Sequence, residues 1–388
     1  MNHHRPENPG SNLAQPTIIA TSTQLESLMG ILATQPAIAI DTESNSLYAY
    51  QEQVCLIQIS VPDMDFILDP LAGLNVSPLA EVLSDPRTTK VLHAAEYDII
   101  CLKRDFGFQI VNLFDTMWAA RILGWPHAGL GDILEEIFGV KTNKKYQRYD
   151  WGKRPLDDDA LTYACMDTHY LLHLQQLQAD ALIQTRHWEE AEEVFAEIAQ
   201  SEPATNPFDP VGFWRIKGAF DLSPRSRAVL AELYIWREQE ACRQNKPPFK
   251  VLGNHALIAL AQAAPGSLNR LSDSSHLKVH HVRRYGHSIL QAIKRGLHSP
   301  APEPPDPAPR RPREEIARYE ALRAWRNKVA AERSVDPDVV MSNAALRALA
   351  ERNPRSLRDV TEVNEIGPWK RKTYGQIVLD ILSKQHHG

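Results

Sequence analysis

Short apolar runs come first along this chain, and helical periodicity comes later. Residues 37–41 (AIAID) form a brief β-rich run, Val54–Val61 (VCLIQISV) a longer one, and Met64–Leu68 (MDFIL) follows the turn signal Pro62-Asp63. Three such runs with short gaps predict antiparallel pairing of the first strands. A short helix near 79–83 and a strand at 90–93 follow. Residues 95–106 have helical spacing and stop at Gly107, and 110–114 offer a fifth strand. From Asp115 to about Ala199 the spacing is helical, broken at Gly124-Trp125-Pro126 and across 141–155. Strands first and helices later, with a crossover helix between, predict an α/β domain over 17–200: a mixed sheet flanked by helices. Residues 1–16 are polar and are expected to be disordered. Residues 201–221 carry Pro203, Pro207 and Pro210 and read as a connector. Beyond Leu222 no strand run appears; the pattern is helical with polar turns.

The helical half repeats itself. Trp236-Arg237 recurs as Trp325-Arg326, an offset of 89 residues. The same offset aligns Pro248 with Pro337, Asn254 with Asn343, Ala256-Leu257 with Ala345-Leu346, Ser267-Leu268 with Ser356-Leu357, and Tyr285-Gly286 with Tyr374-Gly375. One register kept across so many residue types predicts two copies of a small helical domain, 222–299 and 313–388. Between them, 300–312 is Pro-rich and should form a semi-extended linker.

Composition narrows the class. The 388 residues exceed one ordinary domain, and an apolar fraction of 43% argues against wholesale disorder. No stretch approaches the ~18 uncharged apolar residues of a membrane helix. The N-terminus lacks the apolar core of a signal peptide. Cys55, Cys101, Cys165 and Cys242 show no C-x-x-C spacing, which argues against a zinc site and a disulfide framework. Buried thiols in a reducing cytoplasm fit better, so a cytoplasmic location is expected.

Charge divides more sharply than the net −5 suggests. Residues 1–223 hold 15 Lys/Arg against 31 Asp/Glu (−16), and residues 224–388 hold 28 against 17 (+11). Carboxylates can hold divalent cations, and a basic module can bind phosphate backbones.

Certain acidic residues stand where charge is costly. Asp41 and Glu43 end the first strand run; two apart on a strand, they share a face. Two carboxylates on one face repel unless a cation lies between them, which suits Mg²⁺ or Mn²⁺. Asp98 follows the strand run ending at His93, where a helix begins; alone, it could simply complement that helix's dipole. Tyr163 and Asp167 are spaced i, i+4 and share a helix face. A phenol beside a metal-binding carboxylate can position a water and help to deprotonate it. Each piece alone has an ordinary structural reading.

Together the pieces carry a resemblance. Asp-x-Glu, an Asp after a strand–His segment, and Tyr-x₃-Asp occur in the order of the DEDD exonuclease superfamily, and the tyrosine marks its DEDDy branch. Val91-Leu92-His93-Ala94, Phe114-Asp115-Thr116, Asp150-Trp151 and Arg154-Pro155-Leu156 resemble the ribonuclease D family. The duplicated module resembles the HRDC domain. Two departures stand out. Tyr149 precedes Asp150-Trp151 where the family often has Ser or Ala, and the first copy lacks the Ile366-Gly367-Pro368 turn of the second.

The resemblance implies a ribonuclease H-like core with two divalent ions, Mg²⁺ or Mn²⁺, acting as a 3′→5′ exoribonuclease that releases nucleoside 5′-monophosphates. Asp41 would bridge both ions, Glu43 and Asp167 would complete the site of the ion activating water, and Asp98 would support the second. Tyr163 would orient the attacking water. The implied partner is RNA with a free 3′ end, such as tRNA precursors or other small structured RNAs. Thr42, His93, Trp151 and Arg154 are candidates for substrate contact. His93 could touch the scissile phosphate or be a satisfied core histidine. Lys144, Lys145, Arg148, Lys153 and Arg154 interleave with Tyr146, Tyr149 and Trp151, which reads either as a base-stacking, backbone-gripping loop or as a solvated loop around a buried Trp. Arg243, Lys246, Lys250 and Arg283-Arg284 in the first copy, and Lys370-Arg371-Lys372 in the second, are candidates for backbone contact. Two alternatives remain: a DNA exonuclease of the same superfamily, or a nucleic-acid-binding scaffold without activity.

Overall fold

The computed structural model describes residues 15–142, 144–204, 207–272, 277–306 and 310–384. Most of the segment expected to be disordered, residues 1–14, lies outside them. The chain divides into two compact units: Met1–Ser44 with Val54–Pro203 and Pro309–Gly388, and Asn45–Gln53 with Ala204–Ala308.

The first unit is built on a six-stranded sheet. Strands β1 (Thr17–Ile19), β2 (Ala37–Ser44), β3 (Val54–Val61), β4 (Met64–Leu68), β5 (Thr89–Leu92) and β6 (Leu113–Asp115) lie in the order β1-β4-β3-β2-β5-β6. The β2–β3 and β3–β4 pairs are antiparallel; β1–β4, β2–β5 and β5–β6 are parallel. The sheet is therefore mixed, as expected. Every residue of β3 is buried, so its apolar run lacks the alternation of a half-exposed strand. Ile38, Ile40, Ile57, Ile59 and Leu68 pack on one face with Phe114, Leu174, Leu182 and Phe195.

Several elements differ from the reading of the sequence, helix Ser22–Leu32 among them. β1 has only three residues at the sheet edge, too few for a periodic signal. The last strand starts at Leu113 rather than 110, because Asn112 takes a left-handed backbone (φ 58°) that ends any extended run before it.

The helical repeat is visible helix by helix. Pro224–Gln244 answers to Arg313–Arg333, Pro248–Val251 to Pro337–Val340, Asn254–Ala263 to Asn343–Arg352, Leu268–Ser272 to Leu357–Thr361, and Val279–His298 to Pro368–Lys384. Each pair of starts is 89 residues apart, like the sequence words. The words have jobs. Buried Arg237 donates to the Leu252 carbonyl at 3.0 Å and Asn254 Oδ1 at 2.7 Å. Arg326 does the same to Met341 at 3.1 Å and Asn343 at 2.8 Å. Each arginine thus fastens the long first helix of its copy to the helix beginning at the Asn. Tyr285 meets Trp236 edge-on at 5.8 Å, and Tyr374 meets Trp325 at 5.3 Å. The glycine after each tyrosine lets a leucine close in: a β-carbon would lie 2.8 Å from Leu268 at Gly286 and 3.2 Å from Leu357 at Gly375.

The second copy shares a unit with the α/β fold. Val339 joins the α/β core cluster. Arg121 pairs with Asp338 at 2.6 Å and Asp336 at 3.3 Å. Arg333 clasps fully buried Glu190 through two bonds of 2.9 and 2.8 Å. In the other unit, the stretch read as a connector reaches into the first copy's core through Phe213, Trp214, Ile216 and Ala219. Residues 300–306 of the Pro-rich linker form no regular element. Among the described residues no helix is long and apolar enough to cross a membrane.

Candidate active site

The centre of the sheet carries the acidic residues. β2 lies between antiparallel β3 and parallel β5, with Ile38, Ala39 and Ile40 buried. Its register with β3 shifts between Glu43 and Ser44, just after the two carboxylates. Helix Asp158–His169 lies on this face, burying Ala160, Ala164, Cys165 and Thr168. Its small residues allow close approach and bring Asp167 to the strand. One carboxylate oxygen each from Asp41, Glu43 and Asp167 lies within 4.8 Å of the others. Asp98, buried in the first turn of helix Glu96–Phe106, stands outside that triplet and accepts a short hydrogen bond from the Thr42 hydroxyl. Asp115 shapes the turn before this helix by accepting from the N–H of Ala94 (3.2 Å) and Ala95 (2.8 Å).

A buried polar tie, absent from the sequence reading, sits beside Asp167. Ser60 Oγ donates to Asp65 Oδ1 at 2.6 Å and lies 2.7 Å from Thr168 Oγ1. Asp65 Oδ2 is also 2.8 Å from His169 Nδ1. The two residues after Asp167 are thereby fixed to β3 and β4. The signal was present in β3, where Gln58 and Ser60 are polar positions of one face in an otherwise nearly all-apolar strand. Gln58 is the register partner of Asp41; it is 0% exposed, and neither atom of its amide has a partner among the described residues.

Burial pushes every carboxylate of the cluster upward, and repulsion within the cluster adds to it for Asp41, Glu43 and Asp167. Asp41 is raised well above the usual range by desolvation and by Asp98, Asp167 and Glu43. Glu43 rises to about 9 through desolvation, Asp167 and Asp98. Asp167 rises to about 7 through desolvation and Asp98. Asp98 rises to about 7 through desolvation, against which its Thr42 bonds work. A positive charge would relieve all four at once. Oxygen ligands of one Mg²⁺ at ~2.1 Å lie at most ~4.2 Å apart, so the triplet needs little closing to share an ion. The donor set is hard oxygen, and the residues fit a divalent cation.

Tyr163 stands half-buried one turn before Asp167, and its phenol is pushed up by burial and then by Asp167, Glu43 and Asp41. With its proton held in this way, the phenol can donate a hydrogen bond beside the carboxylates. Tyr146 and Trp151 pack around it at 5.4 and 6.3 Å between ring centres.

The structure places the other candidate contacts as follows. Trp151 is 2% exposed and Tyr146 5%, so these rings support Tyr163 and offer no open face for stacking bases. Arg154 makes a two-point pair with Asp69 (2.6 and 2.7 Å) and donates to the carbonyls of Cys55 and Trp151 at 3.0 and 2.7 Å. Its guanidinium pins the 141–155 loop to the sheet. His93 Nδ1 lies 2.9 Å from Thr116 Oγ1, and burial lowers the ring to about 4, so it stays neutral. Thr42 spends its hydroxyl on Asp98. The side chain of Lys144 lies outside the described residues.

Comparison with known proteins reaches the same region. Residues 16–180 match the family described as 3'-5' exonuclease, and residues 226–293 and 315–382 each match the HRDC domain. The chain is 30% identical to ribonuclease D of Nitrobacter hamburgensis, over 95% of each chain. It is 32% identical to the exosome complex exonuclease RRP6 of Saccharomyces cerevisiae over 73% of this chain, but spans only 40% of that longer protein. The solved structure of Escherichia coli RNase D, an exoribonuclease involved in structured RNA processing, is 25% identical, covers 96% of this chain and 99% of its own, and superposes with a TM-score of 0.67.

Proposed function

From the premise that this chain belongs to the ribonuclease D family of 3′→5′ exoribonucleases, we propose that it trims the 3′ ends of tRNA precursors or other small structured RNAs in the cytoplasm, one nucleoside 5′-monophosphate at a time. The observation that carries this reading is the approach of Asp41 and Glu43, near the end of β2, and Asp167, on helix Asp158–His169, to within 4.8 Å of one another.

Asp41, Glu43 and Asp167 would hold one divalent ion, with Asp41 shared and Asp98 supporting a second; Mg²⁺ and Mn²⁺ both suit these ligands. Bound there, the two ions supply the charge that stabilises the attacking and leaving oxygens of an in-line hydrolysis. The chain's own residues orient. Tyr163, protonated and backed by Trp151 and Tyr146, directs the attacking water with its phenol. Thr42 holds the Asp98 carboxylate. Ser60, Asp65 and His169 hold the helix end that presents Asp167. Neutral His93 sets the turn after β5 through Thr116. The basic helical copies lend affinity for the RNA backbone.

Incubation of the full chain and Asp41→Asn with 3′-extended tRNA-like RNA and matching DNA, with Mg²⁺, Mn²⁺ or EDTA, tests this. Mononucleotide release from RNA, abolished by EDTA and by the substitution, is expected. Faster loss of DNA would favour a DNA exonuclease, and binding without cleavage in either metal would leave only a scaffold.

A further inference from the structure

The repeat provides an internal control for one corner of the helical domain. In the second copy, Gly367 and Pro368 open the 17-residue helix Pro368–Lys384, and Lys370-Arg371-Lys372 follow. A helix start with free N–H groups and a lysine is the arrangement that takes up a phosphate. Here an anion of the chain's own lies in it. Glu193, on helix Trp188–Ala199, accepts from the backbone N–H of Trp369 and from that of Lys370 at 3.4 Å. Lys370 Nζ stands 3.9 Å from the other carboxylate oxygen, and both side chains are nearly buried, at 11% and 6% exposed. That second oxygen has no hydrogen-bond partner among the described residues. A β-carbon on Gly367 would collide with the Glu193 carboxyl group, so the glycine makes the room that the carboxylate fills.

The corresponding corner of the first copy is built differently. Lys278 and Val279 stand in register with Gly367 and Pro368, both are exposed, and no side chain caps the start of helix Val279–His298. The remaining basic candidates of the second copy are also engaged in part: Arg371 donates to the Val363 carbonyl at 3.0 Å. Glu190, one turn before Glu193, holds Arg333 of the same copy. Two carboxylates of one helix thus grip the second copy at two points.

We propose that residues 367–370 are a phosphate-class anion site which the chain keeps filled with its own Glu193, so that the second helical domain is clamped to the α/β fold by the surface it would otherwise offer to an RNA backbone. A buried acceptor oxygen without a donor costs free energy, so Glu193 fills the corner incompletely and is open to exchange with another anion. The exoribonuclease reading enters only in naming RNA as the source of the displaced phosphodiester.

Thermal unfolding of the full chain with inorganic phosphate, matched for ionic strength with chloride, reads the site without RNA. Glu193→Gln and Glu193→Ala each vacate the site's charge, and either one suffices if the other folds poorly. Phosphate is expected to raise the midpoint of the variant by roughly 2 °C more than that of the unaltered chain. Equal phosphate effects on both would overturn the proposal. RNA binding in EDTA then identifies the source. Glu193→Ala is expected to bind structured RNA roughly 3- to 10-fold more tightly, with a salt slope steeper by about one. A variant that takes phosphate yet binds RNA as before would overturn the phosphodiester assignment. Failure of RNA cleavage would count against the proposed function and leave the phosphate comparison standing.

Discussion

At the centre of the sheet, Asp41, Glu43, Asp98 and Asp167 come together with their carboxyls raised by burial, and all but Asp98 also by one another. On helix Trp188–Ala199, the side chains of Glu190 and Glu193 are also largely removed from water, and burial raises the Glu193 carboxyl too, yet Arg333 meets the first, and two backbone N–H groups with Lys370 meet the second. Both sets are carboxylates in one unit of the same chain. Their difference lies in whether the protein supplies the countercharge. Where it does, the carboxylate joins parts of the fold. Where four are assembled without it, the fold holds a repulsion that protons or an outside cation must remove. A buried acid is therefore informative only together with its partner.

Substitution should separate the two sets. The largest effect belongs to Asp41→Asn: steady-state kinetics should show kcat down roughly 10³-fold or more, with the chain still folded. Glu190→Ala should do the reverse. Leaving Arg333 buried without its partner should cost about 3 kcal/mol in denaturant unfolding, with the activity of the folded fraction retained. Tyr163→Phe should lower kcat by roughly 10- to 100-fold and leave RNA affinity unchanged, since it removes a hydrogen bond to the attacking water. A change confined to RNA affinity would place Tyr163 in binding instead.

The smallest effect is a pH dependence. The cluster's folded pKa values lie above the unfolded carboxylate range of ~4. Such groups stabilise the fold fully below that range, and the contribution is lost as pH rises through the folded values, about 7 for Asp98 and Asp167 and about 9 for Glu43. In EDTA the melting temperature should therefore fall from pH 5 to pH 9, and millimolar Mg²⁺ should restore it at the alkaline end. A profile unaffected by Mg²⁺ would mean that the cluster does not take up the cation.

Much of this was legible in local pattern. The spacing of Asp41 and Glu43 placed both on one strand face, and the 89-residue offset survives in every helix start. What escaped depends on distant partners. Arg154 meets Asp69 across 85 residues and Thr42 meets Asp98 across 56, so neither pairing shows in a local window. Basic neighbours left Trp151 open to both a stacking and a buried reading; its burial against Tyr149 and Tyr163 is tertiary. Lys370 looked free for the same reason, and Glu193, which holds it, lies in another domain of the sequence. Ser60 and Asp65 carried a faint signal as polar positions in buried strands.

The central claim, that unpartnered carboxylates await a cation while partnered ones do not, can be tested by titrating Mn²⁺ into the full chain and following free Mn²⁺ by electron paramagnetic resonance. Binding should be lost in Asp41→Asn and kept in Glu193→Gln. Equal Mn²⁺ uptake by the unaltered chain and Asp41→Asn would contradict the account.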